Sequence, residues 1–216
     1  MMALAACALA GGVMACQSPG TGTSYSAATA VEQAGKKKSK YEDYKPTAPM
    51  KARFTDMTLA LTRKLLERCL DLDAPMAACF RDRLLNGFDT AGIAEKRCPP
   101  GDDLEEQYNC IVVGSYSYRF VQVIGKQAEP DIDWSDPERS MQAVSIDYAL
   151  TKLKNCLGGS SASDPTDCVM AGFIKELDLT EEEVEPCRSL TNDSEFGQCI
   201  GEAYGLRFMA DGIARM

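Results

Sequence analysis

The sequence predicts an all-α fold: two tandem, disulfide-stapled repeats of about four helices each, packed as a pseudo-symmetric unit. Three observations predict it. First, the eight cysteines beyond residue 50, namely Cys69, Cys79, Cys98, Cys110, Cys156, Cys168, Cys187 and Cys199, are separated by 10, 19 and 12 residues, then 46, then 12, 19 and 12. Second, their flanks keep the same register. Cys110-Ile111 leads to Arg119-Phe120, Cys199-Ile200 leads to Arg207-Phe208, and Leu70 and Leu157 follow the first cysteine of each half. Third, apolar residues recur at helical spacing and strand signals are few. Self-similarity at this scale marks an internal duplication, here over residues 51–128 and 137–216. Of the 216 residues, 45% are hydrophobic, enough for a globular core.

The elements follow in order. The first helix of the first half carries Met57, Leu61, Leu65 and Cys69, each four apart. Its second helix is expected near Asp73, and a short third helix near Thr90. The fourth carries Cys110 to Phe120. It contains the branched run Ile111-Val112-Val113, read as helical because it falls within the repeat. In the second half, Ser135 or Asp136 is placed to cap a first helix with Pro137 in its opening turn. Val144, Tyr148, Leu150, Leu153 and Leu157 supply its apolar residues. Asp164-Pro165 is a start signal for the second helix. Thr180 with Glu183 forms a capping box for the third, and Asn192 is placed to cap the fourth, which carries Cys199 to Phe208.

Four cysteines per half allow three connectivities. The helix reading places one cysteine at each end of an interhelical loop, which favours Cys69–Cys79, Cys98–Cys110, Cys156–Cys168 and Cys187–Cys199. Nesting Cys69–Cys110 around Cys79–Cys98 is the alternative. A redox or zinc role would need short Cys-x-x-Cys steps, and the closest of these eight cysteines are 10 apart. Structural disulfides imply an oxidising compartment.

The N-terminus points the same way. Residues 1–15 are uncharged and mostly Ala, Leu, Val, Met and Gly, too short a run to span a bilayer but of the kind that forms a signal peptide. The segment closes on Val13-Met14-Ala15-Cys16. This resembles the lipobox of bacterial lipoproteins, and Leu4-Ala5-Ala6-Cys7 is a second, earlier match. The resemblance covers only this segment. It implies that Cys16 becomes the lipidated first residue of the mature chain, facing the periplasm or exterior of a bacterial cell envelope; a secreted soluble protein is the alternative. Residues 16–50 then read as a Ser/Thr/Gly/Lys tether.

Composition narrows the function. The chain has no histidine, so a Ser-His-Asp triad, a Cys-His pair and histidine metal sites are excluded. A net charge of −9 argues against nucleic acid, which needs a basic footprint. Asp131, Asp133, Asp136 and Glu138 loosely resemble a calcium loop but lack its Gly and its closing Glu. Helix capping accounts for the acids at 136 and 138. No metal or cofactor is expected. Tyr116, Tyr118, Phe120, Tyr204 and Phe208 concentrate the aromatics among the small residues Gly114, Ser115, Gly201, Ala203 and Gly205. They read either as the contact between the two fourth helices or as an aromatic-lined pocket between repeats. The leading expectation is therefore a non-enzymatic, envelope-tethered binding or scaffold protein, held at the membrane by its lipid and engaging a protein partner. A carrier of a small apolar ligand in a cleft between the repeats comes second, and a carboxylate-dependent hydrolase third.

Overall fold

A computed structural model describes residues 45–70, 75–158 and 164–216. The lipobox segment and all but the last of the Lys-rich stretch lie outside the described residues. These residues form nine α-helices and no strand. Helix α1 spans Ala48–Cys69, α2 Met76–Phe88, α3 Ala94–Arg97 and α4 Leu104–Tyr108. A single π-helical turn, Asn109–Val113, carries α4 directly into α5, Gly114–Gly125. Then come α6, Pro137–Gly158, α7, Pro165–Glu176, and α8, Glu181–Val184, which ends in a 3-10 turn over Glu185–Ser189. The last helix, α9, spans Asp193–Arg215. Both halves thus run long, medium, short, long: α1 and α6 each have 22 residues, α2 and α7 have 13 and 12, and α3 and α8 have 4 each.

Local chemistry sets most boundaries. The Asp164 side chain accepts from the Thr166 amide at 2.7 Å. Thr180 and Glu183 close a reciprocal capping box. Asn192 accepts from the amides of Ser194 and Glu195, and Asp103 does the same for Glu105 and Glu106. Three boundaries depart from expectation. Helix α1 begins at Ala48, inside the stretch read as tether, because Pro49 fits a first turn. Helix α2 begins at Met76, after Pro75 rather than near Asp73. Helix α3 begins at Ala94, and its free amides are taken by Asp89, not Thr90: the Asp89 carboxylate accepts from Ile93 and Glu95 at 2.9 and 2.8 Å.

Each disulfide links neighbouring helical segments: Cys69–Cys79 ties α1 to α2, Cys98–Cys110 ties the end of α3 to the π-turn across α4, Cys156–Cys168 ties α6 to α7, and Cys187–Cys199 ties the 3-10 turn to the body of α9. The two halves do not sit side by side. Helix α1 packs on α9, and α6 packs on α5, so each half's first helix lies on the other half's last. Helix α2 also meets α9, at a close approach. A side chain at Gly212 would run into the ring of Phe88, and one at Gly87 would meet the Gly212 carbonyl at 2.8 Å.

A π-turn sits where the cysteine-to-Arg-Phe spacings of the two halves differ. Arg119-Phe120 begins nine residues after Cys110, but Arg207-Phe208 begins eight after Cys199. A π-turn absorbs one extra residue within a helix, and the turn at Asn109–Val113 lies just where the register slips. With that residue accounted for, Tyr116 corresponds to Tyr204 and Phe120 to Phe208. The aromatic contacts then come in matched pairs. Tyr116 meets Phe208 at 5.6 Å and Tyr204 meets Phe120 at 6.1 Å, both with rings inclined by 63°, while Tyr116 and Tyr204 face each other at 5.7 Å.

Candidate functional site

The seam between each first helix and the two long helices beneath it is where the halves differ. Counting back from Cys69 and Cys156, the positions Met50, Phe54, Thr58 and Leu61 of α1 correspond to Pro137, Met141, Ser145 and Tyr148 of α6. In α6 all four are buried. In α1 only Met50 and Leu61 are; Phe54 is half-buried and Thr58 is exposed. Helix α1 therefore closes on its neighbours at both ends and stands off in the middle.

The space left is a groove with a volume of about 520 Å³, within the usual range for a small-molecule site. Its roof is the face of α1 bearing Lys51, Phe54, Thr55 and Thr58, at i, i+3, i+4 and i+7. Tyr108, Val112, Val113 and Tyr116 form one wall, and Gly205, Phe208 and Met209 of α9 form the other. Both halves contribute, and the π-turn supplies the two valines. Polar chemistry is sparse. The Tyr108 hydroxyl lies 3.9 Å from the Met209 sulfur, and burial pushes its pKa up to about 12, so it stays a neutral donor. Tyr116 donates to the Gly201 carbonyl at 3.3 Å, and burial pushes its ionisation well above the ordinary range.

A polar clasp holds the N-terminal end of α1. The Glu202 carboxylate, fully buried, accepts from the Thr47 amide at 2.9 Å, from the Thr47 hydroxyl, and from Gln198 Nε2 at 2.9 Å. In the other half the corresponding junction is apolar: the Trp134 indole, at the position matching Thr47, packs against Gly114, at the position matching Glu202. A side chain on Gly114 would clash with the indole.

Of the five aromatics read as a pocket or a repeat contact, Tyr116 and Phe208 line the groove, while Phe120 and Tyr204 complete the cluster behind it. Tyr118 faces elsewhere, towards a void of about 30 Å³ beside Phe88 and Trp134. Sequence reasoning missed Phe54, Tyr108 and Met209 as lining residues and took Met57 for ordinary core; the signal that could have found them is the register slip that places the π-turn. A second cleft of about 340 Å³ holds Asp56 and Glu183 with Arg53 and Arg207. Glu183 is engaged there, accepting from the Thr180 amide at 2.7 Å and facing Arg207 at 3.5 Å. Arg207 in turn donates to the carbonyls of Leu177 and Asp178, capping the end of α7.

Among the described residues no group of His, Cys, Asp and Glu is placed to hold a metal ion. Asp133 is used locally: hydrogen bonds from the Ser135 hydroxyl and amide hold its carboxyl below the usual range. No helix among the described residues is long and apolar enough to cross a membrane. Comparison with protein-family models, curated proteins and solved structures finds no match to this chain.

Proposed function

We propose that this protein is a non-enzymatic binding protein of the bacterial cell envelope that takes a small apolar ligand into the groove beneath α1. Four disulfides are characteristic of an oxidising, extracytoplasmic compartment. The observation that carries the ligand reading is the missing layer at Phe54 and Thr58: α6 buries the matching Met141 and Ser145, whereas α1 leaves a groove bounded almost entirely by apolar side chains. A packed core leaves few such gaps. No carboxylate lines it, so the hydrolase reading finds no acid pair there.

The test is direct. N-phenyl-1-naphthylamine, a neutral apolar fluorophore, is expected to brighten on the wild-type protein. Thr58→Trp, at an exposed position of the roof, is expected to weaken its binding by about tenfold or more by filling the groove, with the melting midpoint unchanged. An absent signal, or one that Thr58→Trp leaves intact, removes the ligand reading.

Membrane tethering belongs to the same proposal and rests on Val13-Met14-Ala15-Cys16. Cys16→Ser is expected to release the protein from the membrane fraction or to stall its processing. Unchanged detergent partitioning, with no acyl mass on the wild type, refutes it.

One observation favours the scaffold reading as a second function. Leu66 on α1, with Leu70 just past its end, and Ile146, Leu150 and Leu157 on α6, are exposed large apolar residues at helical spacings. They give each first helix an apolar outer face, of the kind that engages a protein partner.

A further inference from the structure

The groove carries one charge. Among its lining residues Lys51 alone is ionised, in a chain whose net charge is −9. Lys51 is not merely beside the groove: it shares the roof face with Phe54, Thr55 and Thr58, one turn from Phe54. It forms no ion pair among the described residues. The matching position in α6, where the seam is closed, is Glu138. Thus the half that opens a groove places a cation in it, and the half that does not places an acid there. A lysine lays its methylene stem along apolar surface and keeps its ammonium at the water boundary. Lys51 therefore offers a cationic end to a channel that runs about 12 Å along α1 to Leu59, at the rise of an α-helix.

We propose that the groove takes a single-chain amphiphile with an anionic head, its chain lying against Val112, Val113, Tyr116 and Phe208 and its head on Lys51 Nζ. This rests on the groove reading above and adds the ligand's class to it. The head could belong to a free fatty acid or to a phosphate-bearing lipid; the chemistry Lys51 offers is the same for both.

The experiment is competition against bound N-phenyl-1-naphthylamine by decanoate, decyl phosphate, decanol and decylammonium, each below its micelle concentration. The better of the two anions is expected to compete about three- to tenfold more tightly than decanol, the scale of a partly desolvated ion pair. Decylammonium is expected to be the weakest. Lys51→Gln should bring both anions down to the level of decanol measured on the same variant, with the melting midpoint unchanged. Tighter competition by decyl phosphate assigns the head to a phosphate-bearing lipid, and the reverse order assigns it to a fatty acid; both support the proposal. Equal competition by anions and decanol, or an anion preference that survives Lys51→Gln, overturns the proposal and leaves the groove reading standing. Failure of all four to displace the fluorophore overturns both.

Discussion

Replacing Phe120 by alanine is expected to lower the unfolding free energy by about 3–5 kcal/mol, the cost of truncating a fully buried aromatic. Phe120 is 1% exposed and lies between Tyr116 at 6.2 Å and Tyr204 at 6.1 Å. The rings packed around it leave little slack for collapse where the ring is lost. Phe120→Leu, which keeps more of the volume, should cost about half as much or less. Phe208 holds the matching position but lines the groove. Solvent can reach the site of its lost ring, so the cavity component of the loss shrinks, and Phe208→Ala is expected to cost less than Phe120→Ala. Urea titrations of the three variants at unchanged m-value check the order. Equal losses for Phe120→Ala and Phe208→Ala would mean that the groove gives no relief and that the two rings sit in equivalent packing.

The same asymmetry marks what the sequence could and could not convey. Caps at Asp164, Thr180 and Asn192 were legible because a cap depends on residues two or three apart. Asp89 was overlooked in favour of Thr90 because the two are adjacent and both are cap formers; only the path of the chain decides which carboxylate or hydroxyl reaches the amides of Ile93 and Glu95. The all-α fold was legible because the spacing of the cysteines and the apolar period agree. The groove was not. Phe54, Thr58 and Leu61 have the spacing of a buried stripe, as do Met141, Ser145 and Tyr148, and nothing local states that one seam closes and the other stands open. That difference depends on the surfaces presented across the seam, one of which the π-turn at Asn109–Val113 forms. Its trace in the sequence is a one-residue slip between Cys110 and Arg119, which is visible only once both halves are aligned on their aromatics.

Removing the Cys187–Cys199 disulfide is expected to destabilise the protein more than removing Cys156–Cys168. Both bonds close loops with a sequence separation of 12. Chain entropy therefore assigns each about 3 kcal/mol. Composition favours the other order: the segment between Cys156 and Cys168 includes Gly158-Gly159-Ser160-Ser161, and glycine gives the unfolded chain more states to lose, an effect of a few tenths to about 1 kcal/mol. Burial outweighs this. Cys187 and Cys199 are both 0% exposed, inside the core cluster, whereas Cys156 and Cys168 are half-buried at the rim of the α6–α7 connection. Alanine at both core positions leaves a cavity where two sulfurs were packed, adding about 1–2 kcal/mol to the loop contribution; at the rim, water fills the space. The paired variant Cys187→Ala/Cys199→Ala should therefore lose about 4–5 kcal/mol, and Cys156→Ala/Cys168→Ala about 3–4 kcal/mol. Equilibrium urea unfolding of the two variants under non-reducing conditions decides between the contributions: a rim variant that falls as far as the core variant would show that the freedom of the glycine-serine loop, not the packing of the sulfurs, sets how much each staple contributes.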